Sequence, residues 1–214
     1  MAAAYHANYP TQRIVIILPA SLIGNFRKEL ASRCGDLNFP VNSASGLNKK
    51  GKPDFELFSY QKFVKRIKDK SLLLKDCLVI VDEVQNILSN TGSMYEVFLD
   101  TFQTMKGSKL LCLSATPMMD KPVEIALLGN LLLTREEAAR SAQGQIPTDP
   151  IAFDDWMQNP RRLQLFFRNK VSYFKRVNRY MYPSKVEHVV KCYMSSFQKK
   201  VYMKSIGHNN RYEN

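Results

Sequence analysis

The chain has 214 residues, of which 45% are hydrophobic and 23% are charged, and this is the composition of an ordinary globular domain. No apolar run approaches the roughly 20 residues that a membrane-spanning helix needs, and the N-terminus lacks the layout of a secretory signal, so we expect no membrane partner. The cysteines are widely spaced and form no C-x-x-C pair, which favours a reducing, intracellular compartment over a disulfide or zinc framework. They are Cys34, Cys77, Cys112 and Cys192.

The net charge of +12 is distributed unevenly along the chain. Residues 1–159 hold 18 Lys and Arg against 17 Asp and Glu, whereas residues 160–214 hold 13 against 2. A segment this basic predicts a polyanionic partner; nucleic acid is the first candidate and the one that we select over the second, an anionic membrane surface. The alternative is a solvated basic face, or a part of a larger protein whose acidic complement lies elsewhere.

Apolar strand-like runs alternate with helical patterns along most of the chain. Strands are predicted at residues 13–18, 55–60, 77–81 and 109–113. Helices are predicted at residues 21–33, 61–70, 94–105, 123–133 and 135–143. Ser21 is placed as the cap of the first helix. Strands that are apolar throughout and alternate with helices are typical of an α/β domain whose parallel sheet is covered on both faces.

The C-terminal part of the chain follows a different pattern. Beyond residue 150 we predict a helix, two strands and a last helix at residues 153–167, 171–174, 186–194 and 196–206. The first of these helices covers both sides of Pro160, and the segment 39–53, rich in Ser, Asn, Gly and Lys, predicts a loop. Because strand-like runs resume where the basic charge is already dense, we expect a domain boundary near residues 170–185.

Polar residues follow two of the predicted strands at the point where each strand ends. Asp82 and Glu83 come after CLVIV, and Ser114, Ala115 and Thr116 come after KLLCL. In open parallel sheets, ligands bind beyond the carboxyl ends of the strands. An acid there is typical of a Walker-B site, in which one carboxylate holds Mg²⁺ and a second can activate water. The alternative for a bare pair is that Asp82 caps a turn and Glu83 is solvated.

The two strand ends together resemble motifs II and III of superfamily 2 helicases and nucleic-acid-dependent ATPases. The matching stretches are VIVDEVQNI at residues 79–87 and LLCLSATPM at residues 110–118. Residues 14–26, IVIILPASLIGNF, resemble motif Ia of the same proteins, and FELFSYQKF at residues 55–63 is similar to the segment around their next strand. This resemblance covers residues 13–135. It implies a RecA-like first lobe of the P-loop NTPase fold.

A narrower resemblance is to proteins of large DNA viruses, namely the early transcription factor small subunit and nucleoside triphosphatase I of poxviruses and their giant-virus relatives. It is carried by residues 114–133, 166–176 and 193–206. It implies viral RNA polymerase or transcription factor subunits as partners. It also implies a location in the virion, in a viral factory, or in the host cytoplasm or nucleus. Chromatin-remodelling ATPases share several of these features.

The resemblance assigns roles to individual residues. It implies ATP and Mg²⁺ as cofactors, with Asp82 holding the metal and Glu83 acting as the catalytic base. Gln85, the last residue of the DEVQ box, stands where His or Asp is commoner, and it can hydrogen-bond to motif III but cannot carry charge. Ser114, Ala115 and Thr116 are implied to couple nucleotide state to nucleic-acid binding. The motif Ia residues implied to contact the nucleic-acid backbone are Pro19, Ser21 and Asn25.

One component of such a site is missing from the 214 residues. A nucleotide site of this type needs a Gly-rich loop that ends in Lys-Ser/Thr. Residues 51–53 have no hydroxyl after the Lys, and residues 106–109 precede a strand instead of following one. We therefore expect residues 1–170 to form an N-terminally truncated first lobe, and residues 171–214 to form a linker and an incomplete second lobe. Alone, the chain should hydrolyse ATP poorly or not at all.

The basic C-terminal part interleaves cations with aromatic residues, which suits phosphate neutralisation together with stacking on bases. The cations that we select as nucleic-acid-binding candidates are Arg161, Arg162, Arg168, Lys170, Lys175 and Arg176. For the aromatic residues we favour a place in a core. For the cations, nucleic-acid binding and a solvated face both remain open.

These observations favour part of a superfamily 2 ATPase that couples hydrolysis to movement on DNA or RNA, in viral transcription or DNA remodelling. One alternative is a non-catalytic module that binds nucleic acid or a transcription complex. Another is a viral transcription factor subunit whose ATPase serves promoter opening or termination.

Overall fold

The structure is a computed structural model, and it divides into two compact units, Met1–Ser172 and Tyr173–Asn214, which are described separately below. The described residues are Tyr5, Asn8, Tyr9, 12–34, 55–88, 92–140, 144–174 and 186–209. The predicted loop at 39–53 lies outside them.

A parallel sheet of four strands forms the centre of the first unit. The strands are β1 (Arg13–Leu18), β2 (Phe55–Ser59), β3 (Cys77–Val81) and β4 (Lys109–Cys112), in the order β2-β1-β3-β4. All four were predicted, the largest difference in bounds being one residue. The connection from β2 to β3 passes across β1, so the strand order reverses between β1 and β3. Ligand sites of open α/β sheets lie at such a reversal, beyond the carboxyl ends of the strands.

Helices follow each strand. In the first unit they are α1 (Ile23–Cys34), α2 (Tyr60–Lys68), α3 (Gln85–Leu88), α4 (Ser93–Thr104), α5 (Glu124–Leu131), α6 (Arg135–Arg140), α7 (Pro150–Met157) and α8 (Pro160–Phe167). The helix predicted at 153–167 is two helices, because Asn159 accepts a hydrogen bond from the Arg161 N–H and so caps a new helix at Pro160. No helix in the described part of the chain is both long enough and apolar enough to cross a membrane.

The two faces of the sheet are buried in separate apolar clusters. Val15, Ile17 and Val79 lie in the first, where α2 and α4 cover them with a stack of aromatic rings. Ile14, Ile16 and Ile80 lie in the second, together with two residues of α1. The alternation follows from the two-residue period of a strand. The predicted α/β fold, a parallel sheet with helices on both faces, is therefore confirmed.

The start of α1 differs from its prediction. Residues Ala20–Leu22 form a 3-10 turn, and the α-helix begins at Ile23. Ser21 therefore lies inside this turn and is not the residue that precedes the helix. Ile23 and Phe26 pack on the sheet, whereas Leu22 is 37% exposed.

A third apolar cluster joins α5, α7 and α8. Trp156 of α7 meets Phe166 of α8 edge-on, with ring centroids 6.5 Å apart. Asn130 is 2% exposed, and its side-chain amide bonds both the N–H and the C=O of Ile146, as a neighbouring strand would. No residue of the sheet contributes to this cluster.

The second unit contains one described helix, α9 (Ser196–Asn209), which was predicted at 196–206. Its start is a capping box, since Ser195 and Gln198 exchange side-chain and backbone hydrogen bonds. The strands predicted at 171–174 and 186–194 are wrong, because neither segment is in a strand. Val189 is 87% exposed, and a β-prone segment forms a strand only where another strand pairs with its backbone groups.

Candidate functional site

The acidic pair Asp82-Glu83 lies at the reversal point of the sheet. The Asp82 N–H donates to Ile17 O at 2.9 Å, which extends the pairing of β3 with β1 by one residue. On the other side, the Leu113 N–H donates to Val81 O at 2.8 Å, and the Val84 N–H donates to Leu113 O at 3.0 Å. Backbone hydrogen bonds from both neighbouring strands therefore hold the chain around the two acids.

Glu83 has an unusual backbone conformation. Its φ is 52°, in the left-handed region, which costs a residue with a Cβ about 1–2 kcal/mol. The Asp82 Oδ1 accepts the Glu83 N–H at 3.1 Å, and the Glu83 C=O accepts the Asn86 N–H at 3.0 Å, where the short helix α3 follows. This turn takes Glu83 out of the line of β3 and directs its carboxylate towards α3.

Gln85 joins the acidic pair to the end of β4. Its Nε2 donates to Glu83 Oε2 at 2.5 Å, and its Oε1 accepts from Ser114 Oγ at 2.6 Å. The Ser114 Oγ in turn accepts the Thr116 N–H at 3.0 Å. Gln85 is only 7% exposed, so both ends of its amide are used in a nearly dry place. We call this chain of side chains, Glu83–Gln85–Ser114, the strand-end relay.

The electrostatics at Asp82 suit a cation. Burial raises the pKa of the Asp82 carboxyl above its usual value, and the nearby Glu83 carboxylate acts in the same direction. A divalent cation would relieve both effects. Mg²⁺ is usually held by one or two carboxylates together with water and phosphate oxygens, so the donor chemistry of this pair fits it. No group of three or more potential metal ligands occurs among the described residues, so a metal here would depend on ligands from a nucleotide and water.

The segment after Ser114 turns outward. Ala115 and Thr116 are exposed, and Met118 and Met119 are more than half exposed. Glu124, at the start of α5, is 5% exposed, and its carboxylate accepts the Met119 N–H at 2.6 Å. Sequence reasoning missed this role of Glu124. An acid five residues after Met119, near the start of a predicted helix, was the signal for it.

The motif Ia candidates Pro19, Ser21 and Asn25 follow the carboxyl end of β1. Because β1 and β3 are neighbours and parallel, these residues lie at the same edge of the sheet as Asp82. Ser21 and Asn25 are exposed there. They are positioned to meet a ligand that crosses this edge.

The basic candidates are carried by another part of the unit. Arg161, Arg162, Arg168 and Lys170 are exposed on or just after α8, which packs in the third cluster and not on the sheet. Lys175 and Arg176 lie outside the described residues. The expected core position of the aromatic residues holds for Phe166 and Phe167. It does not hold for Tyr173, Phe174, Tyr193 and Tyr202, which are exposed.

Sequence reasoning also missed Tyr60, the first residue of α2. Its hydroxyl donates to the carbonyl of Asp82 and lies 3.0 Å from that of Glu83. The available signal was its position directly after β2, because all parallel strands end at the same edge of a sheet.

Residues 2–213 match the family model described as SNF2-related domain. The chain is similar to the "Putative ATP-dependent RNA helicase R563" of Acanthamoeba polyphaga mimivirus, with 31% identity over 91% of this chain and 38% of that protein. It is also similar to the "Putative helicase 087L" of Invertebrate iridescent virus 3, with 29% identity over 56% of this chain and 14% of that protein. The chain thus spans well under half of each relative.

A solved structure shares the fold. It is the Sulfolobus solfataricus SWI2/SNF2 ATPase core in complex with dsDNA, which matches 77% of this chain and 34% of its own with a TM-score of 0.51. The sequence identity is 13%, so this likeness concerns the fold alone.

Asp82→Asn is expected to stabilise the folded chain near neutral pH, because it removes a charge that burial and Glu83 both disfavour. The folded carboxyl has the raised pKa, so the folded chain holds the proton up to a higher pH than the unfolded chain does. The charged Asp82 carboxylate therefore destabilises the folded chain to its full extent above the raised pKa. This destabilisation disappears as the pH falls below the usual pKa of 3.8. Thermal unfolding at about pH 7 and about pH 3 measures this difference. An equal gain from Asp154→Asn, at an exposed position on α7, would contradict it.

Glu83→Gly is expected to be more stable than Glu83→Ala, because the left-handed backbone costs a residue with a Cβ about 1–2 kcal/mol, which exceeds the roughly 0.5–1 kcal/mol of extra backbone entropy that Gly loses on folding. Both variants lose the carboxylate and its bond to Gln85, so the difference between them reports the backbone and no side-chain contact. Urea unfolding of the two proteins measures it. Equal midpoints and slopes would show that the turn at Glu83 is not strained.

Proposed function

The chain belongs to the SNF2-related domain family, and we propose that it supplies the metal-holding and water-activating part of a nucleic-acid-dependent ATPase. The observation that carries the proposal is the strand-end relay. It links the acid best placed to act as a base, Glu83, to Ser114 on the next strand through a buried amide. A solvated acidic pair would have no need of such a link. The relay supports a site in which the state of one strand end is transmitted to the other.

Asp82 would hold Mg²⁺, which supplies charge neutralisation for the phosphates of ATP when bound. Glu83 would orient and deprotonate the attacking water through its carboxylate. Gln85 would fix the direction of that carboxylate without adding charge, because its Nε2 donates to Glu83 Oε2 while its Oε1 accepts from Ser114. The exposed Thr116 and Ala115 lie just beyond Ser114, where a shift of Ser114 would move them.

In our proposal, other residues supply the remaining parts of the nucleotide site. The 214 residues contain no Gly-rich loop ending in Lys-Ser/Thr, so the phosphate grip must be supplied by other residues. We assign residues 1–170 to the first, ATP-binding lobe, and residues 171–214 to a linker and part of a second lobe. The division into units at Ser172 and Tyr173 supports this assignment.

We propose nucleic acid, DNA or RNA, as the partner of the carboxyl edge and of the basic residues on α8. The support is twofold. The excess positive charge lies in residues 160–214, and the solved structure that shares the fold was obtained with dsDNA. Two of the relatives are viral proteins named as putative helicases. We therefore propose an intracellular role in viral transcription or DNA remodelling, in the manner of the early transcription factor and nucleoside triphosphatase I group.

Two properties of the purified chain test this proposal. It should bind duplex DNA with an affinity that falls steeply with salt, and it should hydrolyse no more ATP than its Glu83→Gln variant, with or without DNA. If the chain hydrolyses ATP and Glu83→Gln abolishes this hydrolysis, the proposal that other residues supply the phosphate grip would be overturned. Absent or salt-insensitive binding would contradict the nucleic-acid partner. A third outcome would favour the non-catalytic module. In it, DNA binding depends on salt, but Glu83 has no role in ATP hydrolysis by any longer polypeptide that contains this chain.

The basic candidates have a matched control. Replacing Arg161 and Arg162 by Gln should lower the slope of log affinity against log salt by about 2, one for each lost phosphate contact. Replacing Lys65 and Arg66, exposed on α2, by Gln removes the same charge at another surface and should leave the slope nearer to wild type. Equal slopes for the two variants would show that only net charge matters.

A further inference from the structure

Tyr60 is fixed beneath the acidic pair. It is the first residue of α2, directly after Ser59, whose hydroxyl caps that helix by accepting the Lys62 N–H at 3.2 Å. The Tyr60 side chain is 6% exposed, and its ring packs edge-on against Phe98 with centroids 6.4 Å apart. The ring is therefore held by the first apolar cluster, and the place of its hydroxyl is set by that packing.

The Tyr60 hydroxyl meets the backbone where β3 ends and the turn begins. It donates to the carbonyl of Asp82, and the carbonyl of Glu83 lies 3.0 Å away. These two carbonyls flank the left-handed residue, Glu83, whose φ is 52°. A left-handed residue that carries a side chain persists only where its surroundings hold it. The Tyr60 hydroxyl is one side-chain group that does so here, and the Asp82 Oδ1, which accepts the Glu83 N–H at 3.1 Å, is another.

Two further features concern the Tyr60 hydroxyl. Burial raises the pKa of its hydroxyl to about 12, so it stays protonated throughout the neutral range. A side-chain hydrogen bond from Asn86, three residues after Glu83, reaches the same hydroxyl and acts on the pKa in the opposite direction. Tyr60 is thus tied to both sides of the turn.

We propose that Tyr60 is a positioning residue for Glu83, which it serves by holding the left-handed turn that directs the Glu83 carboxylate to Gln85. The value of this for catalysis rests on the proposed function, in which Glu83 is the base. The geometric part does not, because the bond between Glu83 and Gln85 can be observed without any hydrolysis. Tyr60 itself contacts backbone carbonyls and no reacting group.

The test compares Tyr60→Phe with Tyr95→Phe. Tyr95 is a matched control, because it is 7% exposed in the same cluster and its hydroxyl donates to Leu127 O at 2.9 Å, away from the turn. The readout is the exchange rate of the Gln85 side-chain amide protons, followed by NMR. Tyr60→Phe should raise this rate at least about tenfold, whereas Tyr95→Phe should leave it unchanged. An unchanged rate in both variants would overturn the proposal.

A second measurement covers the case in which Tyr60→Phe is too unstable for NMR. If the hydroxyl holds the left-handed turn, Glu83→Gly, which needs no such support, should reduce the loss of urea midpoint that Tyr60→Phe causes. The loss caused by Tyr95→Phe should be the same in both backgrounds. Equal losses for Tyr60→Phe with and without Glu83→Gly would refute the positioning role. Neither result depends on ATPase activity, so failure of the proposed function and failure of this inference are distinguishable.

Discussion

The pairing of β3 on both of its edges is the constraint on which the site depends. Cys77–Val81 is buried at every residue and lies between β1 and β4. Because the strands are parallel, their carboxyl ends meet at one edge, and the residues that follow them are forced together. Asp82 remains bonded to β1 and Val84 to the end of β4. The acids at this edge are thus held by the two strands that any coupled movement would have to displace.

The strand-end relay adds side-chain contacts to that backbone frame. Two acids next to each other in a half-buried place repel, and the raised pKa of Asp82 reflects both burial and that repulsion. Gln85 relieves part of the strain by donating to Glu83, and it does so without a charge of its own. A His at this position would bring a proton that titrates near neutral pH, whereas an amide keeps the same hydrogen bonds at every pH. Gln85, the middle residue of the strand-end relay, therefore does not change its charge with pH.

Much of the first unit could be predicted from the sequence, for physical reasons. Runs such as IVIIL and CLVIV are apolar throughout and rich in β-branched residues, which is typical of a parallel strand covered on both faces. That Asp82 and Ser114 lie at the same edge of the sheet follows from strand direction alone. Strand direction also places Tyr60 at this edge, but the contact of its hydroxyl with Glu83 depends on the packing of α2 and could not be predicted. The left-handed backbone at Glu83 could not be predicted either, because the residue type Glu does not indicate a positive φ.

The two strand predictions in the C-terminal part were wrong because the local pattern lacked a strand to pair with. Residues 186–194 have the β-propensity of a strand, but no described strand lies beside them. The catalytic and nucleic-acid-binding roles of the site residues remain predictions.

The coupling between Gln85 and Ser114, measured as a double-mutant cycle on the free energy of unfolding, tests most directly whether the strand-end relay joins the two strand ends. If the relay joins the two strand ends, Gln85→Ala and Ser114→Ala should be non-additive, with an interaction energy of about 0.5–3 kcal/mol. A control cycle of Ser114→Ala with Ser59→Ala, at the end of β2 and separated from β4 by two strands of the sheet, should be additive to within about 0.5 kcal/mol. Additivity in both cycles would show that the two strand ends are independent, and would contradict the account.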